Sequence, residues 1–231
     1  ALEGAAGREK ASGKKLCGIF GGKGGQFEFY EVADRPASPR LVPGNSENPT
    51  LAECTKAALE VLTEGGNSKA GSFLMIEQGD IDWANHANAF PQMIGGVHDL
   101  DEAVKAAVAF VERSDSDAVD WSNTLILVTA DHSNSYMRLH AILGKGDLPA
   151  VDAGGRPKDG SVSYSTTHHT NEPVSLYARG MGTQLFRECE GSWYKNSALI
   201  DNTQIFWTMV RALGLRAPTT AGQEAPLVPL P

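Results

Sequence analysis

The chain has 231 residues, with 20 Lys and Arg against 28 Asp and Glu, 41% apolar side chains, 25 Gly, 12 Pro and 3 Cys. That is ample for a buried core, and it excludes low-complexity disorder and a disulfide-stapled miniprotein. The net charge of -8 offers no basic footprint for a nucleic-acid backbone, and no apolar run approaches the roughly 20 residues that span a bilayer.

The N-terminus has neither a hydrophobic signal core nor an initiator Met, so Ala1 is expected to mark processing or truncation. Cys17, Cys54 and Cys189 are far apart and form no C-x-x-C pair, which favours ordinary core thiols over a disulfide framework or a thiolate zinc site.

Short apolar runs at Leu16 to Phe20, Phe73 to Ile76, Thr124 to Thr129 and Val174 to Tyr177 read as strands covered on both faces, the composition of a mostly parallel central sheet. Helical patterns lie between them. Thr50-Leu51-Ala52-Glu53 is a capping box that opens a helix to about Glu64, stopped by Gly65-Gly66. A second helix is expected over Leu100 to Arg113. A third starts near Asn202, with Ile205, Phe206, Met209, Val210 and Leu213 on one face, and ends at Gly214. Strands alternating with helices predict an α/β protein with helices on both faces of the sheet. Glu31 to Asn48, Leu139 to Tyr164 and the Pro-rich tail over 217–231 read as long loops and a terminus, so residues 1–231 are expected to form a single α/β domain.

In open α/β sheets the working groups follow the carboxyl ends of strands. Here Glu77, Asp82, Trp83 and His86 follow the second run, Asp131-His132 follow the third, and His168-His169-Thr170 precede the fourth. Carboxylates and imidazoles without Cys suit zinc on mixed N/O ligands and magnesium on oxygens. The Asp82-x-x-x-His86 spacing puts both groups on one face of a helical turn. A single Asp after a strand is more often a helix cap, and a lone His more often a hydrogen-bonded structural residue. Their gathering at three predicted strand ends favours a site, while His98 and His140 fall outside that pattern.

Gly18 to Gly24 resembles a phosphate loop, but Cys17 holds the first Gly position and Gly24 replaces the Ser/Thr. There is no G-x-S-x-G and no H-E-x-x-H, and Ser133 reads as an exposed loop serine rather than a nucleophile.

Glu77-x-x-x-x-Asp82-x-x-x-His86, then Thr129-Ala130-Asp131-His132, then His169-Thr170 resemble the C-terminal half of an alkaline phosphatase. The likeness runs from about Lys14, through Pro49 to Ala52 and Asp99 to Val104, to Ala212 to Leu215. It implies a partial alkaline-phosphatase-like fold and a phosphate monoester hydrolase with two zinc ions and one magnesium. Asp82, His86 and His169 would hold the first zinc, Asp131 and His132 the second, and Glu77 the magnesium; Trp83 would lie near substrate, where some relatives carry Lys or His.

The family's nucleophilic serine and phosphate-binding arginine have no matching position, so no catalytic residue is expected in this chain. Asp115-Ser116-Asp117 is no substitute. The resemblance further implies a phosphoserine intermediate, a missing N-terminal half as covalent or separate partner, a homodimer, and a periplasmic or secreted location. Rival readings are a non-catalytic zinc-binding remnant and a related phosphodiesterase or sulfatase. Glu77 argues against the latter pair.

Overall fold

The computed structural model describes residues 16–20, 31–32, 41–42, 48–64, 71–113, 119–140, 142–144, 147–150, 152, 157–158, 160–192 and 195–215. The Pro-rich tail, Asp115 to Asp117, and the latter part of the glycine-rich stretch after Phe20 lie outside them. The chain divides into two compact units, residues 1–113 with 130–175 and residues 114–129 with 176–231.

In the first unit, α1 spans Leu51–Glu64. Its start follows the capping-box chemistry: Thr50 N donates to Glu53 Oε2 at 2.8 Å, and Glu53 N donates back to Thr50 Oγ1 at 3.3 Å. Next come α2, Asp80–His86, and α3, Phe90–Val111. Helix α3 begins ten residues before the expected Leu100, with Pro91 in its first turn. Two glycines and a buried carboxylate hide its periodicity, for Phe90, Met93, Gly96, Asp99, Ala103 and Ala106 form one buried stripe at three- and four-residue steps.

Both other helices pack on that stripe. Gly96 admits α2, since a Cβ there would sit 2.9 Å from Ile81 Cγ1. Asp99 ties α1: its carboxylate accepts from Leu51 N at 3.3 and 3.4 Å and from Gln78 Nε2 at 2.6 Å. Ala84, Phe90 and Met93 are buried against Ile81, Ile94, Met137 and Val162, directly beneath the site-bearing helix. Each large apolar side chain buried there contributes about 1.5–3 kcal/mol.

The remaining strands of this unit are short. β1 (Glu31–Val32) pairs with β2 (Leu41–Val42), β4 (Ser133–Asn134) with β7 (His169–Thr170), and β5 (Arg138–Leu139) with β6 (Val162–Ser163). The stretches expected as long loops thus carry strand pairs. In the second unit, β3 (Leu125–Val128) pairs with β8 (Tyr177–Gly180), followed by α4 (Gln184–Arg187) and α5 (Thr203–Ala212).

The expected mostly parallel sheet is not what the described residues show, because all of these pairs are antiparallel. Leu16 to Phe20 lies outside any strand, with Ile19 fully open to solvent, and the strand expected from Val174 begins only at Tyr177. Phe73 to Ile76 also has no ladder partner among the described residues. Yet Phe73, Met75 and Glu77 are exposed while Leu74, Ile76 and Gln78 are half-buried, the period-two alternation of a strand.

Helix α5 occupies its expected place, but its apolar face stays partly open: Phe206 and Leu213 are exposed while Gln204 and Thr208 are buried. All three cysteines are free, and Cys17 is exposed where a core thiol was expected; Cys189 is fully buried.

Candidate metal centre

Helix α2 turns the four-residue spacing into contact. Asp82 Oδ2 lies 3.3 Å from His86 Nε2, on the same face of the helix. The backbone between β4 and β5 brings in the rest. Ser135 and Tyr136 both take positive φ, 63° and 48°, and form a turn directly after β4. Ser135 is fully buried. Its N–H donates to His168 O at 2.9 Å, its carbonyl accepts from Ser165 N and Thr166 N, and its hydroxyl donates to Asn85 O or to Asn134 Oδ1. These bonds pin the chain around Asp131 to Tyr136 against both α2 and the chain leading into β7.

Four donors converge as a result. His169 Nε2 lies 3.1 Å from His86 Nε2 and 3.4 Å from Asp82 Oδ1. The His132 ring stacks on His169 with centroids 3.6 Å apart, and its Nδ1 is 4.0 Å from Asp82 Oδ1. Two links orient the inner pair. His86 Nδ1 lies 2.5 Å from Thr167 O, so that nitrogen carries the hydrogen and Nε2 presents its lone pair inward. Asn134 Nδ2 donates to Asp82 Oδ1 at 2.5 Å, which fixes the carboxylate rotamer.

The other expected residues stand apart from this convergence. Asp131 is 86% exposed; one carboxylate oxygen accepts from His132 N at 3.1 Å and the other lies 3.4 Å from His132 Nε2. Glu77 is exposed and makes no hydrogen bond or ion pair with the four converging side chains. Trp83 is 69% exposed beside Asp82. His168 faces solvent, and only its carbonyl serves the site.

Ser133 is half-buried on β4 rather than exposed in a loop. Its hydroxyl is engaged by Thr170 Oγ1 at 2.5 Å. His140 bonds Ser163 Oγ, as a structural residue would. His98, Asp101 and Glu102 form a second donor group, but Lys105 Nζ already bridges the two carboxylates at 2.8 and 2.7 Å. Sequence reasoning missed Asn134, Ser135 and the Thr167 carbonyl. None of these carried a signal of its own, since the stretch after Asp131 reads as a loop and β4 begins only at Ser133.

Fold and site together define an α/β protein with a histidine and aspartate donor cluster at its helix-to-strand junction. The alkaline phosphatase family model matches residues 8–147, and the chain belongs to that family. It is 32% identical over 214 residues to the alkaline phosphatase of Escherichia coli K12, covering 88% of this chain and 42% of that protein. It is 33% identical to streptomycin-6-phosphate phosphatase of Streptomyces griseus, over 73% of this chain and 36% of that one.

A cold-active alkaline phosphatase from Shewanella matches in fold with TM-score 0.55 at 17% identity, covering 92% of this chain and 68% of the other. A magnesium-bound variant of the enzyme from the Antarctic bacterium TAB5 matches with TM-score 0.51 at 25% identity, covering 84% and 54%. The chain therefore spans less than half the length of the curated relatives it matches.

Proposed function

We propose that this chain is the C-terminal, metal-holding part of an alkaline phosphatase that hydrolyses phosphate monoesters to an alcohol and inorganic phosphate. The supporting observation is the convergence of Asp82, His86 and His169: the two imidazole Nε2 atoms are 3.1 Å apart, that of His86 is 3.3 Å from Asp82 Oδ2, and that of His169 is 3.4 Å from Asp82 Oδ1. Ligands about 2.0 Å from a tetrahedral ion are separated by roughly 3.3 Å, close to the spacing of the two imidazole nitrogens, while the histidines face different oxygens of Asp82, so the carboxylate would turn one oxygen inward to complete the set. Two imidazole nitrogens this close share either a hydrogen or a bound cation.

On this reading Asp82, His86 and His169 hold the first zinc, and Asp131 and His132 the second. Glu77 contributes to a magnesium site, whose remaining ligands belong to the rest of the longer protein. When bound, the ions draw in the phosphate dianion, activate the attacking oxygen and stabilise the leaving one. This chain's residues do the holding. Thr167 O keeps the hydrogen on His86 Nδ1, Asn134 keeps Asp82 aimed, and exposed Trp83 flanks the approach to Asp82.

The nucleophilic serine of the phosphoserine mechanism and the phosphate-clamping arginine lie outside these 231 residues, and Ser133 is already spent on Thr170. The alternating segment Phe73 to Ile76, which has no ladder partner among the described residues, is read as a strand of the mostly parallel central sheet, completed by the N-terminal half. Homodimerisation and a periplasmic or secreted location complete the proposal.

The test is hydrolysis of 4-nitrophenyl phosphate by the full-length protein, together with its zinc and magnesium content. Activity that depends on zinc and is abolished by Asp82→Ala is expected. Activity that survives Asp82→Ala and chelation would overturn the reading.

A further inference from the structure

The face of β4 and β7 turned away from the donor cluster is held by one carboxylate. Pairing puts Asn134 and His169 on the donor side, where His132 stacks on His169, and Ser133 and Thr170 on the other. On that back side Thr170 Oγ1 donates to Glu172 Oε2 at 3.1 Å and itself accepts from the Ser133 hydroxyl at 2.5 Å, with Ser133 Oγ 3.5 Å from the carboxylate. Glu172 Oε1 lies 2.5 Å from the Arg138 guanidinium, at the start of β5. Arg138 is itself placed twice over: its guanidinium stacks 3.8 Å above the Tyr136 ring and donates to Met137 O at 3.0 Å.

One side chain thus gathers groups from β4, β5 and β7. This matters because these ladders are short. Each of β4, β5, β6 and β7 has two residues, far below what holds a ladder together by its own backbone bonds. The imidazoles of His132 and His169 stack only if β4 and β7 keep their register, Ser133 opposite Thr170 and Asn134 opposite His169. A one-residue slip would turn each donor side chain to the wrong side.

We propose that Glu172 is a positioning residue for the metal centre, holding β4 and β7 in register through Thr170 and, by way of the Thr170 hydroxyl, Ser133, with Arg138 as the partner that keeps its carboxylate aimed. This rests on the zinc-holding role proposed above for His132 and His169. The carboxylate is needed as such, because it accepts from the Thr170 hydroxyl on one oxygen and from a guanidinium on the other. A Gln amide keeps one acceptor and turns an N–H donor toward one of these sides, and Asp is too short to span from β7 to β5.

The test measures zinc affinity in the full-length protein by competition with a chromogenic chelator. Thermal melting of the metal-free protein is followed in parallel, for wild type, Glu172→Gln and Thr170→Val. Removing a hydrogen-bond partner of a ligand costs about 10–100-fold in metal affinity, and Glu172 acts one step further out, which sets the expectation at about tenfold. Glu172→Gln is expected to weaken zinc binding by that factor, and Thr170→Val by a smaller one, with the metal-free melting temperature close to wild type in the latter. The histidine ring resonances of the metal-free Thr170→Val protein should broaden or double as His132 and His169 lose their fixed stacking.

Zinc affinity within twofold of wild type in both variants would overturn the proposal. So would a loss of affinity that only tracks a lowered melting temperature, with unchanged ring resonances. Failure of the wild-type protein to bind zinc would overturn the metal-centre reading and this inference with it; normal wild-type binding with unaffected variants overturns this inference alone.

Discussion

The two units of the chain place their side chains by different means. In the first, nearly every functional group is fixed by a polar link to a neighbouring segment: Asp99 to Leu51 N, His86 to Thr167 O, Asn134 to Asp82, Ser135 to His168 O. In the second, position is set by backbone conformation and close approach. Gly180 has φ of 104° and a Cβ there would strike Thr124 O, and Gly182 has φ of 78° and lies against Ala212. Arg179 stacks on Trp121 at 4.0 Å, and Arg211 pairs with Glu188 at 2.9 Å. A donor set must be held in angle as well as distance, which hydrogen bonds do and apolar contacts do not. The first unit spends its polar groups on aiming, and the second needs only a ladder and a helix.

Ligand removal should break this contrast most visibly. His86→Ala is expected to cost about 3–4 kcal/mol of zinc binding, roughly 10²–10³-fold in affinity, since a structural zinc site distributes some 10–16 kcal/mol over its ligands. A chelator competition titration reads it, and an affinity within threefold of wild type would remove His86 from the site.

Next is Asp99→Ala, which leaves Leu51 N and the Gln78 amide without their buried acceptor. A loss of about 2–4 kcal/mol in unfolding free energy is expected from denaturant melts. The same residue makes a pH prediction. Burial pushes the Asp99 carboxyl above the usual range, against the hydrogen bonds from Leu51 and Gln78, so the folded chain keeps that proton to higher pH than the unfolded one. Its contribution to stability is complete below the ordinary Asp pKa of about 3.9 and is lost as pH rises through the raised folded value. Asp99→Asn cannot ionise, so its stability relative to wild type should improve as pH rises across that window. A relative stability that is flat or falls there would contradict the assignment.

Gly180→Ala sharpens the contrast from the other side. A Cβ clash in a left-handed conformation is expected to destabilise the second unit by about 2–3 kcal/mol while zinc affinity at Asp82, His86 and His169 stays within twofold. Equal losses in both would show that the two means of positioning are not separable. Smallest of all, Arg211→Ala removes an exposed ion pair with Glu188 and should change stability by less than about 0.5 kcal/mol.

Much of the site was legible in the sequence because its information is local. The Asp82-x-x-x-His86 spacing needs one helical turn to bring its groups together, and the capping box at Thr50 needs only its own side chains. His132 and the His168-His169 pair joined them through their places at predicted strand ends, but the choice of His169 and the division between two ions came only through the resemblance, since these residues arrive from positions far along the chain. Helix α3 was half missed because Gly95, Gly96 and Asp99 do not look like a buried face; they become one only when Ile81 and Leu51 pack against them. The parallel sheet was read from apolar runs such as Leu16 to Phe20 and Phe73 to Ile76, yet an apolar run becomes a strand only when a neighbour accepts its hydrogen bonds. The apolar face of α5 was predicted correctly as a pattern, but a pattern does not say whether anything covers it.

By itself, then, the sequence determined what depends on near neighbours: which residues can cap, which can share a helix face, which donors suit zinc, and the family. The tertiary structure decided which donors meet, with His132 stacked on His169 and Asp131 left in solvent, and which polar residues aim them, Asn134, Ser135 and the Thr167 carbonyl. The physical reason is that spacing along a chain sets direction only within a turn or a strand. Convergence across many residues depends on turns, register and packing, which no single segment encodes.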